Sequence, residues 1–154
     1  MKGFTEEFYR KHTSSSLEPV KNAISQIAES NAFLEVTNLV IPQLNDQPDT
    51  FRDMVQWIRD HAGKKTVVHL SRYFPGYRSD IEPTPVSKLK ELYAIARQHL
   101  DYVYLGNVMV EQGNNTYCDQ CGELLVERNG YSTRLPGVNN QGQCKSCNNQ
   151  VFIM

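Results

Sequence analysis

The most informative absence in this sequence of 154 residues is that of cysteine from residues 1–117. All four cysteines of the chain lie between positions 118 and 147. Thiolates are the ligands of closed structural zinc sites and of most iron–sulfur clusters. Any metal centre built by the earlier part of the chain would therefore have to use other ligands.

A charge excess and a long apolar run are lacking as well. The 16 Lys and Arg residues nearly balance the 17 Asp and Glu residues, so the net charge is −1 and does not favour nucleic acid or acidic membranes. No apolar run approaches the about 20 residues that a membrane-spanning helix needs, and no signal peptide pattern is found. Together with cysteines confined to paired motifs, this predicts a cytoplasmic protein without a nucleic-acid or membrane partner.

The cysteines form two C-x-x-C motifs, Cys118 with Cys121 and Cys144 with Cys147. Two such motifs about twenty residues apart have the spacing of a four-thiolate metal site, and a hairpin near Gly130 would bring them together. We predict a small zinc-ribbon-like module over residues 111–154. Zinc is favoured, iron of the rubredoxin type is the alternative, and a [4Fe–4S] cluster fits two symmetric pairs less well. The remaining interpretation is that the four cysteines form disulfides instead of binding a metal.

Upstream of the cysteines, helical and strand periodicity alternate. The predicted strands cover residues 33–41, 66–70 and 102–105, and the predicted helices begin near Ser16, Asp46 and Thr84. Strands separated by helices must run parallel, and three of them leave both sheet edges open. We therefore predict an α/β fold in which residues 1–110 form part of a (β/α) barrel or of a doubly wound sheet.

Polar side chains occupy strand positions that buried parallel sheets normally fill with Val, Ile or Leu. In a barrel such residues face the lumen, and ligands bind near the carboxyl ends of the strands. The polar residues at these positions are Glu35, Thr37, His69, Ser71 and Tyr73. Two simpler interpretations stay open: Glu35 as an exposed strand start, and His69 as a hydrogen-bonded core residue.

Two loops at the same end of the predicted strands have more than one interpretation. The segment over residues 71–83 is long and rich in aromatic and guanidinium groups, so it is either an active-site loop or a connector. Asn45 and Asp46 most simply form a turn and a helix cap, and their position also suits a ligand contact.

Five segments occur in a characteristic order: residues 39–46 (LVIPQLND), 69–75 (HLSRYFP), 83–85 (PTP), 104–108 (YLGNV) and 115–122 (NTYCDQCG). In this combination the chain resembles radical SAM enzymes related to glycyl-radical activases. It is similar to the AmmeMemoRadiSam system radical SAM enzymes, which are often labelled pyruvate formate-lyase activating enzyme-like. The resemblance implies an enzyme whose [4Fe–4S] cluster cleaves S-adenosylmethionine to a 5′-deoxyadenosyl radical.

That family holds its cluster with a C-x-x-x-C-x-x-C motif, which this sequence lacks. Lys2-Gly3-Phe4 resembles the end of a family strand that reads Asp-Leu-Lys-Gly-Phe. The resemblance therefore implies the C-terminal half of such an enzyme, inactive alone and in need of the N-terminal half of the barrel as its partner. The expected cofactor-binding residues are Lys2, Glu35, Thr37, Leu39, His69, Ser71 and Tyr73. No motif identifies a catalytic residue or the substrate. A protein is one candidate substrate.

Two other functions compete with this hypothesis. The chain could be a non-enzymatic adaptor whose zinc ribbon binds a protein partner, or a remnant of a truncated gene. Cations and acids balance in the segment after Gly113, which argues against nucleic acid as the ligand of the ribbon.

Overall fold

The computed structural model describes residues 1–151 and divides the chain into two compact units, one from Met1 to Val108 and one that begins at Met109. The first unit contains α1 (Glu6–Thr13), α2 (Glu18–Ala28), β1 (Glu35–Val40), α3 (Pro48–Ala62), β2 (Val67–Arg72), α4 (Val86–Arg97) and β3 (Val103–Gly106). The second contains β4 (Thr116–Tyr117), β5 (Leu124–Asn129) and β6 (Ser132–Arg134). Among these helices, none has the length and apolar character needed to cross a membrane.

The first unit is built on a parallel sheet with the strand order β1-β2-β3. This confirms the predicted α/β class, and each predicted strand and helix start lies within a few residues of an observed element. Each strand carries mostly apolar residues at its buried positions, and the helices carry apolar residues at helical spacing. The periodicity of the sequence was therefore sufficient to place the sheet.

Helix α1 is the element that the periodicity does not predict. It has eight residues, and only Phe8 and Tyr9 are buried, so it offers too few apolar positions for a repeat. The features that favour this helix lie at its N-terminus instead. There the Thr5 hydroxyl accepts from the Phe8 N–H at 3.1 Å, and two glutamates lie in the first turn. A side-chain cap and acidic residues stabilise the positive end of a helix dipole.

The two faces of the sheet differ in what covers them. Along β1 the side chains alternate strictly between exposed and buried. Helices α3 and α4 pack together, and α4 also packs on β2 and β3. The buried side chains on the helical side include Val40, Val68, Leu70, Phe51, Met54, Ile58, Leu89 and Leu92. The opposite face exposes polar side chains, so within residues 1–108 the helices cover only one side of the sheet.

At the end of β1, Asn45 joins three backbone groups. Its Oδ1 accepts from the Ile41 N–H at 2.6 Å, and its Nδ2 donates to the carbonyl oxygens of Lys2 at 2.6 Å and Leu39 at 2.8 Å. Both amide protons are therefore used, and the residue is buried. Asn45 and the neighbouring Asp46, which accepts from the Gln43 N–H, thus form the predicted turn. The predicted helix cap is wrong, because α3 begins after Gln47 without a side-chain cap.

The loop after β2 is fixed to the sheet by Thr84, which is fully buried. Its hydroxyl donates to the Val40 carbonyl oxygen at 2.6 Å and accepts from the Tyr73 N–H at 2.9 Å. One side chain thus links the beginning and the end of this loop to the carboxyl end of β1.

The second unit contains the hairpin that the sequence predicts between the cysteine motifs. Strands β5 and β6 pair antiparallel, with Asn129 opposite Ser132, so that the turn has two central residues. The first of these, Gly130, has a positive φ of 59°, as a type II′ turn requires. The small core of this unit consists of Leu125 and Val126 together with two of the cysteines.

Replacing Asn45 with alanine should destabilise the first unit, because three backbone groups lose their partner. At about 1 kcal/mol for each hydrogen bond, we expect the free energy of unfolding to fall by about 2–3 kcal/mol in a urea titration. Asn31→Ala is the matched control, since Asn31 is exposed, and its effect should stay within about 0.5 kcal/mol. Equal stabilities of the two variants would contradict the role given to Asn45.

Candidate metal centre and polar sheet face

The four cysteines meet at one point of the second unit. All four Sγ atoms lie within 4.8 Å of one another, and the pairs Cys118–Cys147 and Cys121–Cys144 are each 3.6 Å apart. A disulfide needs about 2.0 Å between its sulfurs, whereas a tetrahedral metal with bonds of about 2.3 Å to sulfur spaces them by about 3.8 Å. The group can therefore bind a metal ion, as the sequence predicts.

Both cysteine motifs fold in the same way, which explains why their sulfurs converge. The Gly122 N–H donates to the Cys118 carbonyl oxygen at 2.9 Å, and the Asn148 N–H donates to that of Cys144 at 2.9 Å. Gly122 and Asn148 have positive φ values of 75° and 58°. Glycine and asparagine are the residues that adopt this left-handed conformation most readily. Each motif is thus a tight turn closed by a residue suited to it.

Cys118 is buried, and burial alone would raise the pKa of its thiol. The backbone N–H groups of Cys121 and Gln120 and the side chains of Asn149 and Cys147 outweigh this effect by hydrogen bonding to the sulfur, and they lower the pKa of Cys118 to about 6. The lowered pKa favours the thiolate of Cys118 near neutral pH, which is the form that binds metals.

The other two shifted thiols behave in the opposite way. The N–H of Glu123 favours the thiolate of Cys121, but the neighbouring sulfurs and desolvation prevail and raise its pKa to about 12. The pKa of Cys147 is also raised, by desolvation and by Cys118 and Cys144, against the N–H of Asn149. Once one sulfur of the group is negative, the neighbouring thiols donate to it and keep their protons. A metal must displace these protons in order to bind.

Most of the predicted cofactor-binding residues share the open face of the parallel sheet. In the strand register Thr37 lies beside His69 and Leu39 lies beside Ser71. Glu35 joins them through its Oε2, which is 2.8 Å from the Nε2 of His69. Glu35 therefore begins β1 in an exposed position, as the simpler interpretation expects, and it also contacts His69. His69 is one-third exposed and lies outside the core.

The third strand adds a residue to this face that the sequence analysis missed. Tyr104 is the register neighbour of His69, and the two rings stack with centroids 5.6 Å apart. Its position in a predicted strand was visible in the sequence, but the neighbour depends on the register. Gly106 lies beside Ser71, and a Cβ added there would be only 3.0 Å from the Ser71 Oγ. The glycine thus leaves room for this hydroxyl.

Lys2 and Tyr73 lie outside the strands. The Met1 amino group donates to the Thr37 carbonyl oxygen at 3.0 Å, so the backbone at Lys2 runs beside the edge of β1, and the Lys2 side chain is exposed. Tyr73 follows β2, and its hydroxyl donates to the Ser79 Oγ at 2.6 Å within the same loop. The structure therefore gives Tyr73 a partner in the loop and Lys2 a position at the edge of the sheet.

Comparison with known proteins gives one informative relative. No protein-family model matches the chain. The chain is 35% identical over 151 residues to an uncharacterized protein of Methanocaldococcus jannaschii, and the alignment covers 96% of this chain and 45% of the relative. The chain thus spans less than half the length of the curated relative that it matches. The name of that relative states no activity.

Removing the metal should loosen the second unit, because Cys118 and Cys144 belong to its core. Metal binding supplies on the order of 10 kcal/mol of folding free energy in small thiolate modules. We expect a chelator in reducing buffer to abolish the hydrogen-exchange protection of β5, measured by mass spectrometry, with β2 as the internal reference. Unchanged protection of β5 in metal-free, reduced protein would refute this dependence.

The affinity for the metal should rise with pH. The raised pKa values of Cys121 and Cys147 mean that both carry protons at pH 7 without metal, so binding releases at least these two. Below about pH 6, Cys118 becomes protonated as well and adds a further proton. The logarithm of the apparent affinity should therefore rise by at least two per pH unit near pH 7 and more steeply below pH 6. Competition with a chromophoric chelator measures this slope, after correction for the protonation of the chelator. A slope of zero would contradict the prediction.

Proposed function

We propose that this chain is the C-terminal part of a radical SAM enzyme of the AmmeMemoRadiSam type. The observation that supports this most is the parallel sheet with one helix-covered face and one polar, open face. In a (β/α) barrel the helices pack outside and the polar residues line the interior. Glu35, His69 and Tyr104 would then belong to the lumen of a barrel that these three strands form only in part.

The edge of β1 is the place where we expect the rest of the barrel. Asn45 bridges the carbonyl oxygens of Lys2 and Leu39, and Met1 donates to Thr37, so residues 1–2 run parallel to β1. Beside them lies a cleft of about 360 Å³, lined mainly by apolar side chains of α2 and β1. A strand edge that only residues 1–2 follow, beside an apolar cleft, is suited to receive a further strand. The greater length of the archaeal relative is consistent with this partner.

The iron–sulfur cluster of such an enzyme would not be held by this chain. Its cysteines number four, and all four belong to the single group in the second unit. That group suits one tetrahedral ion, and we propose zinc in a ribbon-like module, because zinc prefers closed four-thiolate sites. The ligands of the cluster would come from the partner half.

The polar sheet face would contribute one wall of the S-adenosylmethionine site. Bound to the complete enzyme, this cofactor is the source of the 5′-deoxyadenosyl radical. The hydroxyls of Thr37 and Ser71 and the pair of Glu35 and His69 are the groups on this face that can hydrogen-bond to a polar ligand. Lys2, at the edge of the same sheet, would add a cation. These residues would bind and orient the cofactor and exclude water.

The test is reconstitution of the pair. This chain should be co-expressed with the polypeptide that is encoded upstream, provided that the polypeptide carries C-x-x-x-C-x-x-C. We expect the reduced pair to release 5′-deoxyadenosine from S-adenosylmethionine, measured by chromatography, and this chain alone to release none. Metal analysis should find iron only in the pair and zinc in both samples. A reconstituted, iron-loaded pair that leaves the cofactor intact would refute the proposal.

Two variants on α2 control for the docking site. Ile27 lines the cleft and is 39% exposed, whereas Gln26 is exposed elsewhere on the helix. Ile27→Asp should prevent co-purification of the halves, because a carboxylate would have to be buried without a partner. Gln26→Asp should leave the pair intact. If both variants pair normally, the partner binds at another surface.

A second candidate function rests on the hairpin of the second unit. Tyr131 and Leu135 are exposed, the tyrosine completely so. Exposed aromatic and aliphatic side chains suit contact with a protein, so the chain could be an adaptor with a zinc ribbon. An adaptor would retain its partner after Ile27→Asp and lose it after Tyr131→Ser.

A further inference from the structure

The two cysteine motifs are followed by equivalent residues, Glu123 and Asn149. The Cys118 N–H donates to the Glu123 carbonyl oxygen at 2.9 Å, and the Cys144 N–H donates to that of Asn149 at 2.9 Å. The backbone around the candidate metal centre is thus nearly two-fold symmetric. Differences between the two halves of the site must come from the side chains.

The side chains of these two residues break the symmetry. The Asn149 Nδ2 crosses to the first motif, where it lies 3.6 Å from the Cys118 Sγ and 2.6 Å from the Asp119 Oδ1. Glu123 also crosses to the other motif, but its Oε2 accepts from the Ser146 hydroxyl at 2.9 Å. Of the two crossing contacts, only that of Asn149 reaches a sulfur of the metal group.

We propose that Asn149 is a positioning residue of the metal centre that ties the second cysteine motif to the Cys118 sulfur of the first. This inference rests on the proposal that the four cysteines hold a metal. A carboxylate oxygen can only accept, so Asp119 fixes the amide with its Nδ2 toward the first motif. One N–H then points to the carboxylate and the other to the sulfur.

Asn149 contacts three of the four cysteines in this way. Its carbonyl oxygen accepts from the Cys144 N–H, its own N–H bonds the Cys147 sulfur, and its side chain bonds the Cys118 sulfur. Groups that hydrogen-bond to metal ligands orient them and adjust how strongly they donate to the metal. Loss of the side-chain contact would free Cys118 to leave the metal first and would make its sulfur a stronger electron donor.

The direct test uses the unaltered chain, ¹⁵N-labelled and loaded with ¹¹³Cd in place of the native metal. A hydrogen bond to a metal-bound sulfur transmits a scalar coupling to the metal. We expect one Asn149 side-chain amide proton to couple to ¹¹³Cd, together with the β-protons of all four cysteines. Coupling to the four cysteines but not to the Asn149 amide would overturn this inference and leave the metal site standing. Absence of the cysteine couplings would refute the metal site itself and this inference with it.

A variant tests the consequence for the metal. Asn149→Asp keeps the size of the side chain, removes both N–H groups and sets a carboxylate against the sulfur. We expect the metal to be lost to a chelator about tenfold faster. In the cobalt-loaded protein the sulfur-to-cobalt charge-transfer band should move to lower energy, a shift that a merely structural role would not cause.

Ser146→Ala is the matched control, since it removes the equivalent crossing contact, which involves no sulfur. The rate at which Ser146→Ala loses its metal to the chelator should stay within twofold of the rate for the unaltered chain. The spectrum of its cobalt-loaded form should not change. An unchanged band and release rate in Asn149→Asp, or equal shifts in both variants, would overturn the proposal. If Asn149→Asp fails to fold, the cadmium experiment decides alone.

Discussion

The central constraint on the first unit is that a parallel sheet is covered by helices on one face only. The backbone hydrogen bonds of such a sheet form whatever covers its faces. Apolar side chains, however, stabilise the fold only where they are buried away from water. The helical side accordingly contains Val40, Val68 and Leu70, all fully buried. The other side contains groups that water can solvate. Parallel sheets are normally covered on both faces, so the polar face is the feature that calls for a functional explanation.

The sequence was sufficient to predict what repeats or has a fixed spacing. The strands and the three longer helices follow from periodicity, and the metal group follows from two C-x-x-C motifs, because a tight turn places its two sulfurs by local geometry alone. The hairpin between the motifs was also predictable, since Gly130 can adopt the positive φ of its turn.

The contacts that the sequence did not reveal are of two kinds. Some depend on strand register, such as the stacking of His69 on Tyr104, which no local pattern specifies. Others depend on single polar side chains that bind distant backbone or sulfur atoms, as Asn45 and Asn149 do. Asparagine suggests a turn in either case, and only the tertiary structure shows which groups its amide reaches.

The hydroxyl of Thr84 has a further consequence for the loop after β2. Because it holds both ends of that loop at the carboxyl end of β1, the residues between them form a closed ring whose conformation the sheet does not dictate. Lengthening such a ring costs little entropy, since the cost grows only with the logarithm of its size. Tyr77, at the exposed tip of this ring, is therefore a position where homologous chains can differ in length and composition while the strands beneath remain the same.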